Sequence, residues 1–181
     1  MIVQERDIQR ANQIDGWMSL KELMWLAEIA SKSNTIVEIG SYKGRSTRAL
    51  LDNCKGLVYA VDPWNGAFYR EDGSVEFIAD TNLMHQFLEN TKDCNNLTIF
   101  RGEFDEFLDR IELKVDFIFI DGCHLYNSVK KDINNALKII KLNGIIACHD
   151  YTQEGWPGVR KAFNEFFPSP NIIESIGWVR L

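Results

Sequence analysis

The chain has 181 residues, 45% hydrophobic and 25% charged, with 12 Gly and 4 Pro, so it can bury a core without disulfide or metal staples and is not a disordered or fibrous sequence. Twenty Lys and Arg against 26 Asp and Glu leave a net charge of −6 and no basic run, which argues against nucleic acid as a partner. No apolar stretch approaches the ~18 residues of a membrane span, Met1 to Asp7 lack the flank and apolar block of a secretory signal, and Cys54, Cys94, Cys123 and Cys148 form no Cys-x-x-Cys pair. These features predict a cytoplasmic protein with free thiols and no membrane partner.

Ser19-Leu-Lys-Glu22 is a capping-box sequence. It opens a helix over about 20–32, with Leu20, Leu23, Met24, Ala27 and Ile29 or Ala30 on one face. Residues 1–33 thus read as the N-terminal helical segment of a single domain spanning 1–181. A buried-strand pattern at 35–39 ends at Gly40, and a helix is expected over 46–53. The second strand, 57–61, is stopped by Asp62-Pro63. Residues 64–74 read as a loop, 75–92 as a helix and 97–100 as a strand. A short helix over 103–111 leads into 115–120, the strongest strand pattern in the chain. An amphipathic helix at 128–140 is followed by Leu142-Asn-Gly144 as a stop, then a strand at 145–149. Pro157 suits the first turn of a helix ending near Phe167. The tail, 172–181, reads as two short strands around Gly177.

Strand and helix alternate five times. That pattern predicts an α/β fold: a Rossmann-like, doubly wound, seven-stranded sheet, mostly parallel, with helices on both faces. The last two strands have no helix between them and must form an antiparallel edge hairpin. In such sheets ligands bind beyond the carboxyl ends of the strands, so the polar residues there are the candidates for function.

Those ends carry acids and glycines. The first strand runs into Glu38-Ile-Gly40-Ser41-Tyr42-Lys-Gly44-Arg-Ser46, where Gly40 suits a tight turn and Gly44 a close backbone approach. The Gly-x-x-x-Gly spacing departs from the dinucleotide Gly-x-Gly-x-x-Gly and speaks against a nicotinamide enzyme. Asp62 follows Gly40 by 22 residues, the spacing of a ribose-hydroxyl acceptor, and equally begins an Asp-Pro turn. Glu103 and Asp105 after the third strand suit either an adenine amino group or a helix cap. The fourth and fifth strands end in Asp121-Gly-Cys-His124 and His149-Asp150. As neighbours, these would bring Asp121, His149 and Asp150 together as ligands for a divalent cation with open positions, with His124 placed to remove a proton. Two other readings stand beside this one: a zinc site from Cys123-His124 and Cys148-His149, and histidines that merely cap helices.

Residues 37–47 (Val-Glu-Ile-Gly-Ser-Tyr-Lys-Gly-Arg-Ser-Thr) resemble the first motif of class I S-adenosylmethionine-dependent methyltransferases, nearest the catechol-type O-methyltransferases. Val58 to Asp62 is similar to the ribose motif of that fold. Residues 116–126 and 141–151 resemble the cephalosporin hydroxylase-like and macrolide-sugar O-methyltransferase branch. The resemblance runs from about Thr35 onward. It implies that Glu38 reaches the methionine amino group and that Gly40, Ser41, Tyr42, Gly44 and Ser46 form the methionine-carboxylate loop. It also implies that Asp62 takes the ribose hydroxyls and that Asp105 or Glu103 contacts adenine. Asp121, also a cofactor contact, joins His149 and Asp150 at the metal, with magnesium expected, and His124 stands where catechol-type enzymes carry a catalytic lysine. Metal-dependent relatives usually have a carboxylate where this chain has His149. The chain also has one glycine, Gly144, where a pair is common.

The resemblance thus implies O-methylation of a hydroxyl on a small molecule or sugar. The alternative is a cofactor-binding or regulatory module without activity. Trp64, Phe68, Tyr69 and Phe77 make 64–81 the candidate substrate lid, with Trp156 as the opposite wall. Trp17 and Trp25 suggest a surface for a homo-oligomer.

Overall fold

A computed structural model describes residues 4–70, 72, 74–77 and 82–181. Strands β1 (Thr35–Ile39), β2 (Leu57–Asp62), β5 (Leu97–Arg101), β6 (Val115–Ile120) and β7 (Ile140–Cys148) pair in parallel. Strand β9 (Ile176–Arg180) runs antiparallel to β7, and β8 (Asn171–Ile173) pairs with β9 at the edge. The order is β5-β2-β1-β6-β7-β9-β8, the expected seven-stranded sheet. The hairpin folds back so that its second strand lies inside and its first forms the edge.

Alternation of side chains along each strand divides the core. Ile36, Val58, Phe117, Phe119, Ile145 and Ala147 face one way, against α2 (Leu20–Ala30) and α3 (Arg45–Asn53). Val37, Ile39, Val61, Ile118, Ile120 and Ile146 face the other, against α5 (Phe104–Leu108), α6 (Tyr126–Ile139) and α7 (Pro157–Phe166). Helix α4 (Leu83–Thr91) puts Leu83 and Phe87 on Ala60 and Trp64.

Ahead of α2, a 3₁₀ turn (Glu5–Ile8) and α1 (Gln9–Gln13) are tied down by two arginines. Arg45 donates to the carbonyls of Asn12 (2.9 Å), Ile14 (2.6 Å) and Met18 (3.0 Å). Arg48 is almost wholly buried and pairs with both Asp52 and Asp93, the same acids that Arg10 grips from α1. Trp25 packs on Phe117 and Trp178 within the chain, whereas Trp17 precedes α2 and is 68% exposed.

Four expectations need correction. Val75–Phe77 is strand β4, not the start of a helix, and pairs with β3 (Ala67–Tyr69) inside the expected loop. Its Val-Glu-Phe alternation has strand period, and α4 begins only at Leu83. Positions 78–81 of the expected helix lie outside the described residues. Leu142-Asn-Gly144 is no break: α6 ends at Ile139 and β7 starts at Ile140, with the extra residues absorbed as a bulge where the β6 register shifts between Val115 and Phe117. Gly177 lies within β9, where a Cβ would come 2.6 Å from the Tyr151 ring, and the hairpin turns at Glu174 instead (φ 51°).

At Gly40 (φ 84°) the chain leaves β1 so close to β6 that a Cβ would sit 2.2 Å from the Asp121 carbonyl oxygen. Gly40→Ala is therefore expected to cost at least about 2 kcal/mol. At ~2–4 °C per kcal/mol for a chain of this size, thermal denaturation should show a drop of roughly 4–8 °C or more.

Candidate active site

A cleft of about 1030 Å³ opens at the carboxyl ends of the parallel strands. Asp62, at the end of β2, organises the loop after β1. Its Oδ2 accepts the backbone N–H groups of Ser41 (2.8 Å) and Tyr42 (2.9 Å), and its Oδ1 accepts that of Trp64 (2.5 Å). Burial still pushes the Asp62 carboxyl upward against those three donors. Oδ2 is used up by two donors, so one lone-pair site on Oδ1 remains for a further hydrogen bond from the cleft that Asp62 lines. Gly40, Ser41, Tyr42 and Ser46 line the cleft with it. Gly44 (φ 91°) starts α3 and presses on Phe87 rather than on the cleft.

Glu38 lies beneath this loop with no exposed surface. Its Oε2 accepts the hydroxyls of Ser41 (2.6 Å) and Thr47, while Oε1 has no partner among the described residues. Burial, only partly offset by the hydroxyls of Ser41, Ser46 and Thr47, pushes its pKa up to about 7. Glu38 braces the loop from inside and does not itself line the cleft.

At the β5 end, Glu103 lines the cleft, whereas Asp105 does not and is held by Lys131 at 2.6 Å. The sequence reading missed Asp132, which lines the cleft from α6 together with Ser128 and Lys131. Burial first, and then the nearby Glu103, raises its pKa to about 7. The helical spacing of 128, 131 and 132 was the signal that could have found this face.

Between β6 and β7, acids and imidazoles meet. His124 Nε2 lies 2.9 Å from Asp150 Oδ2 and 3.7 Å from Asp121 Oδ1. Asp121, His124 and Asp150 each offer one donor atom within 4.8 Å of the others, two hard oxygens and one borderline nitrogen, a set that fits a divalent cation. His149 falls outside that trio. It is 5% exposed, with Nδ1 3.1 Å from Asp121 Oδ1 and Nε2 3.5 Å from Glu22 Oε1. The reason is the turn after β7: Asp150 takes a left-handed conformation (φ 58°) and swings toward His124, leaving His149 between the two carboxylates. Burial works against a charged His124, but Asp121 and Asp150 outweigh it and raise its pKa to about 9. The same balance raises His149, and the two histidines hold Asp150 well below the usual carboxylate range against its own burial. Cys148 points into the apolar core and Cys123 lines the cleft, so the two do not share a metal site.

Aromatic rings form the cleft walls. Trp156 stacks on His124 (4.6 Å between centroids, 28° between planes), and Trp17 meets Tyr42 at 4.9 Å. In the expected lid, Trp64, Tyr69 and Phe77 all line the cleft, but Trp64 is itself buried on Phe87 and donates its indole N–H to the Tyr42 carbonyl. The Phe68 side chain and residues 71, 73 and 78–81 of that segment lie outside the described residues.

A family model described as a methyltransferase domain matches residues 37–151. A protein of Acanthamoeba polyphaga mimivirus is 32% identical, over 79% of this chain and 66% of that protein. A protein of Sinorhizobium fredii is 28% identical over 70% of this chain and 14% of its own length. The chain thus spans less than two thirds of the curated relatives it matches. Among solved structures, an O-methyltransferase of Bacillus cereus in complex with S-adenosylhomocysteine superposes with a TM-score of 0.68 at 16% identity, covering 100% of this chain and 93% of that one. A methyltransferase of Podospora anserina bound to S-adenosylhomocysteine gives 0.68 at 15% identity, covering 97% and 86%. At those identities the likeness is one of fold.

Glu38 yields a pH test. Its folded pKa, about 7, lies above the ordinary value of 4.5, so its contribution to stability is full below pH 4.5 and is lost as pH rises toward 7. Glu38→Gln should remove that dependence. In denaturant unfolding, the stability of the native chain relative to this variant should fall between pH 4.5 and 7 by something on the order of 3 kcal/mol.

Proposed function

The chain belongs to the methyltransferase-domain family of S-adenosylmethionine-dependent enzymes, and on that premise we propose that it transfers a methyl group to a hydroxyl of a small molecule or sugar. The observation that carries this reading is the meeting of Asp121, His124 and Asp150 in the cleft that Asp62 and Glu103 line further along. A module that only bound the cofactor would have no use for that trio.

In this reading Asp62 accepts a ribose hydroxyl at its one remaining Oδ1 lone pair, and Glu103 faces the adenine end. The cleft volume suits a ligand of this size. Asp121, His124 and Asp150 would hold a divalent cation, which supplies Lewis-acid polarisation of a bound hydroxyl. The sulfonium methyl is already electrophilic, so the work left to the chain is orientation. Holding acceptor oxygen and methyl carbon in line draws on the ~7–11 kcal/mol available from effective molarity. Trp156 and Trp17 offer ring faces on which a sugar or aromatic acceptor could stack.

The 2.9 Å approach of His124 to Asp150 favours a second reading of the same centre. There, Asp150 orients His124, and the neutral form of the imidazole, which grows as pH rises toward its raised pKa of about 9, takes the acceptor proton with no cation present.

Two experiments test these readings. In thermal shift, S-adenosylhomocysteine at ~100 times its dissociation constant should stabilise the chain by about 2.7 kcal/mol. That corresponds to a rise of roughly 5–11 °C at ~2–4 °C per kcal/mol. The rise should vanish in Asp62→Ala, and no rise at millimolar ligand would refute the cofactor. In a screen of phenols and sugars with labelled S-adenosylmethionine, Asp150→Ala should lower transfer by at least ~100-fold. Loss with chelator and recovery with magnesium would support the cation, whereas full activity in chelator would leave the His124 base. Binding without transfer to any acceptor would favour the non-catalytic module.

A further inference from the structure

Helix α2 and the β8–β9 turn lie outside the matched span 37–151, yet both reach the strand-end cluster. The link is Glu22, only 3% exposed. Its Oε2 accepts the Ser19 backbone N–H (2.7 Å), closing the capping box of α2. A capping box needs only that oxygen and works with a solvated glutamate. Here the other oxygen, Oε1, is turned inward. It accepts both the backbone N–H (3.0 Å) and the hydroxyl of Ser175, and it lies 3.5 Å from His149 Nε2. Burying a carboxylate is costly unless donors meet it. Burial raises its pKa, but His149, Ser175 and Ser19 together overcome that and hold it at about 2.

We propose that Glu22 is a positioning residue that acts on the reaction centre through His149, so that α2 and the C-terminal hairpin complete a site which residues 37–151 do not close alone. The proposal rests on the reading of Asp121 given under Proposed function. His149 is within hydrogen-bond distance at Nδ1, of Asp121, while Nε2 forms no hydrogen bond among the described residues and faces the Glu22 carboxylate at 3.5 Å, a charge that favours this ring orientation over the flipped one. With Nε2 facing Glu22, Nδ1 is aimed at Asp121 Oδ1 at 3.1 Å and passes within 3.5 Å of Asp150 Oδ1. The ring is also set edge-on to Phe119 at 6.3 Å. Asp121 Oδ1 is thereby held from the His149 side, while Asp121 lines the cleft. Ser175 fixes Glu22 in turn, so the backbone of the C-terminal turn sets the far end of the chain Ser175–Glu22–His149–Asp121.

The test uses the full chain and two readouts independent of the acceptor: the His149 ring N–H resonance by NMR without ligands, and Mn²⁺ affinity by electron paramagnetic resonance. Glu22→Met keeps the volume and removes the acceptor. It should speed exchange of the His149 ring N–H with solvent and weaken Mn²⁺ binding, each by roughly 10–100-fold, the usual effect of losing a partner behind a metal ligand. Glu22→Gln retains a polar partner at the same reach and should restore both to within about threefold, which a purely packing role would not require. If Glu22→Met does not fold, Ser175→Ala carries the test with an expected weakening of about 3–10-fold, since one of the two groups holding Oε1 remains. A folded Glu22→Met with the native ring signal and native Mn²⁺ affinity overturns the proposal, as does a Ser175→Ala unchanged in both. If the unaltered chain binds neither Mn²⁺ nor S-adenosylhomocysteine, the functional reading falls, while the ring signal still decides whether Glu22 holds His149.

Discussion

The backbone of Gly40 lies against the carbonyl of Asp121 with no space for a side chain between them. That approach makes the ends of β1 and β6 adjacent. The pairing continues on both sides: Gly40 N–H donates to Val61 carbonyl, Asp121 N–H to Ile39 carbonyl and His149 N–H to Ile120 carbonyl. Four strands are thus stitched together one residue beyond their regular ends. Asp62, Asp121, His149 and Asp150 share one edge because parallel strands release their chains at the same end of the sheet.

The electrostatics follow from which acids find a cation. Glu38, which is buried, and Asp62 and Asp132, which are half-buried, sit among hydroxyls, backbone N–H groups or other acids, and each is pushed upward. Glu22, buried, and Asp150, half-buried, lie beside imidazoles and are held down. Two histidines among Glu22, Asp121 and Asp150 allow a concentration of negative charge that the apolar surroundings would otherwise expel.

The parts of the chain outside the matched segment do more than cover the sheet. Arg45 gathers the carbonyls of the N-terminal segment, and Arg10 shares Asp52 and Asp93 with Arg48. Trp25 and Trp178, one from each end of the chain, pack together behind β6. These contacts bring Glu22 and Ser175 to the same point beside His149.

The parallel sheet, its two-faced helices and the acids at its strand ends were legible in the sequence. Apolar alternation at 35–39, 57–61 and 115–120 sets which side chains face which layer, and parallel crossovers then dictate where the strand ends emerge. Gly40, Asp62, Asp121 and Asp150 could be singled out because local backbone chemistry and position in such a sheet suffice to place them. The roles of the two histidines, of Asp105 against Asp132, and of Glu22 were not legible. They depend on the left-handed turn at Asp150, on Lys131 claiming Asp105, and on contacts between residues 153 positions apart. Periodicity and motif spacing report on neighbours along a helix or strand. Only the packed tertiary structure decides which buried charges face one another, because that depends on how separate elements share one interior.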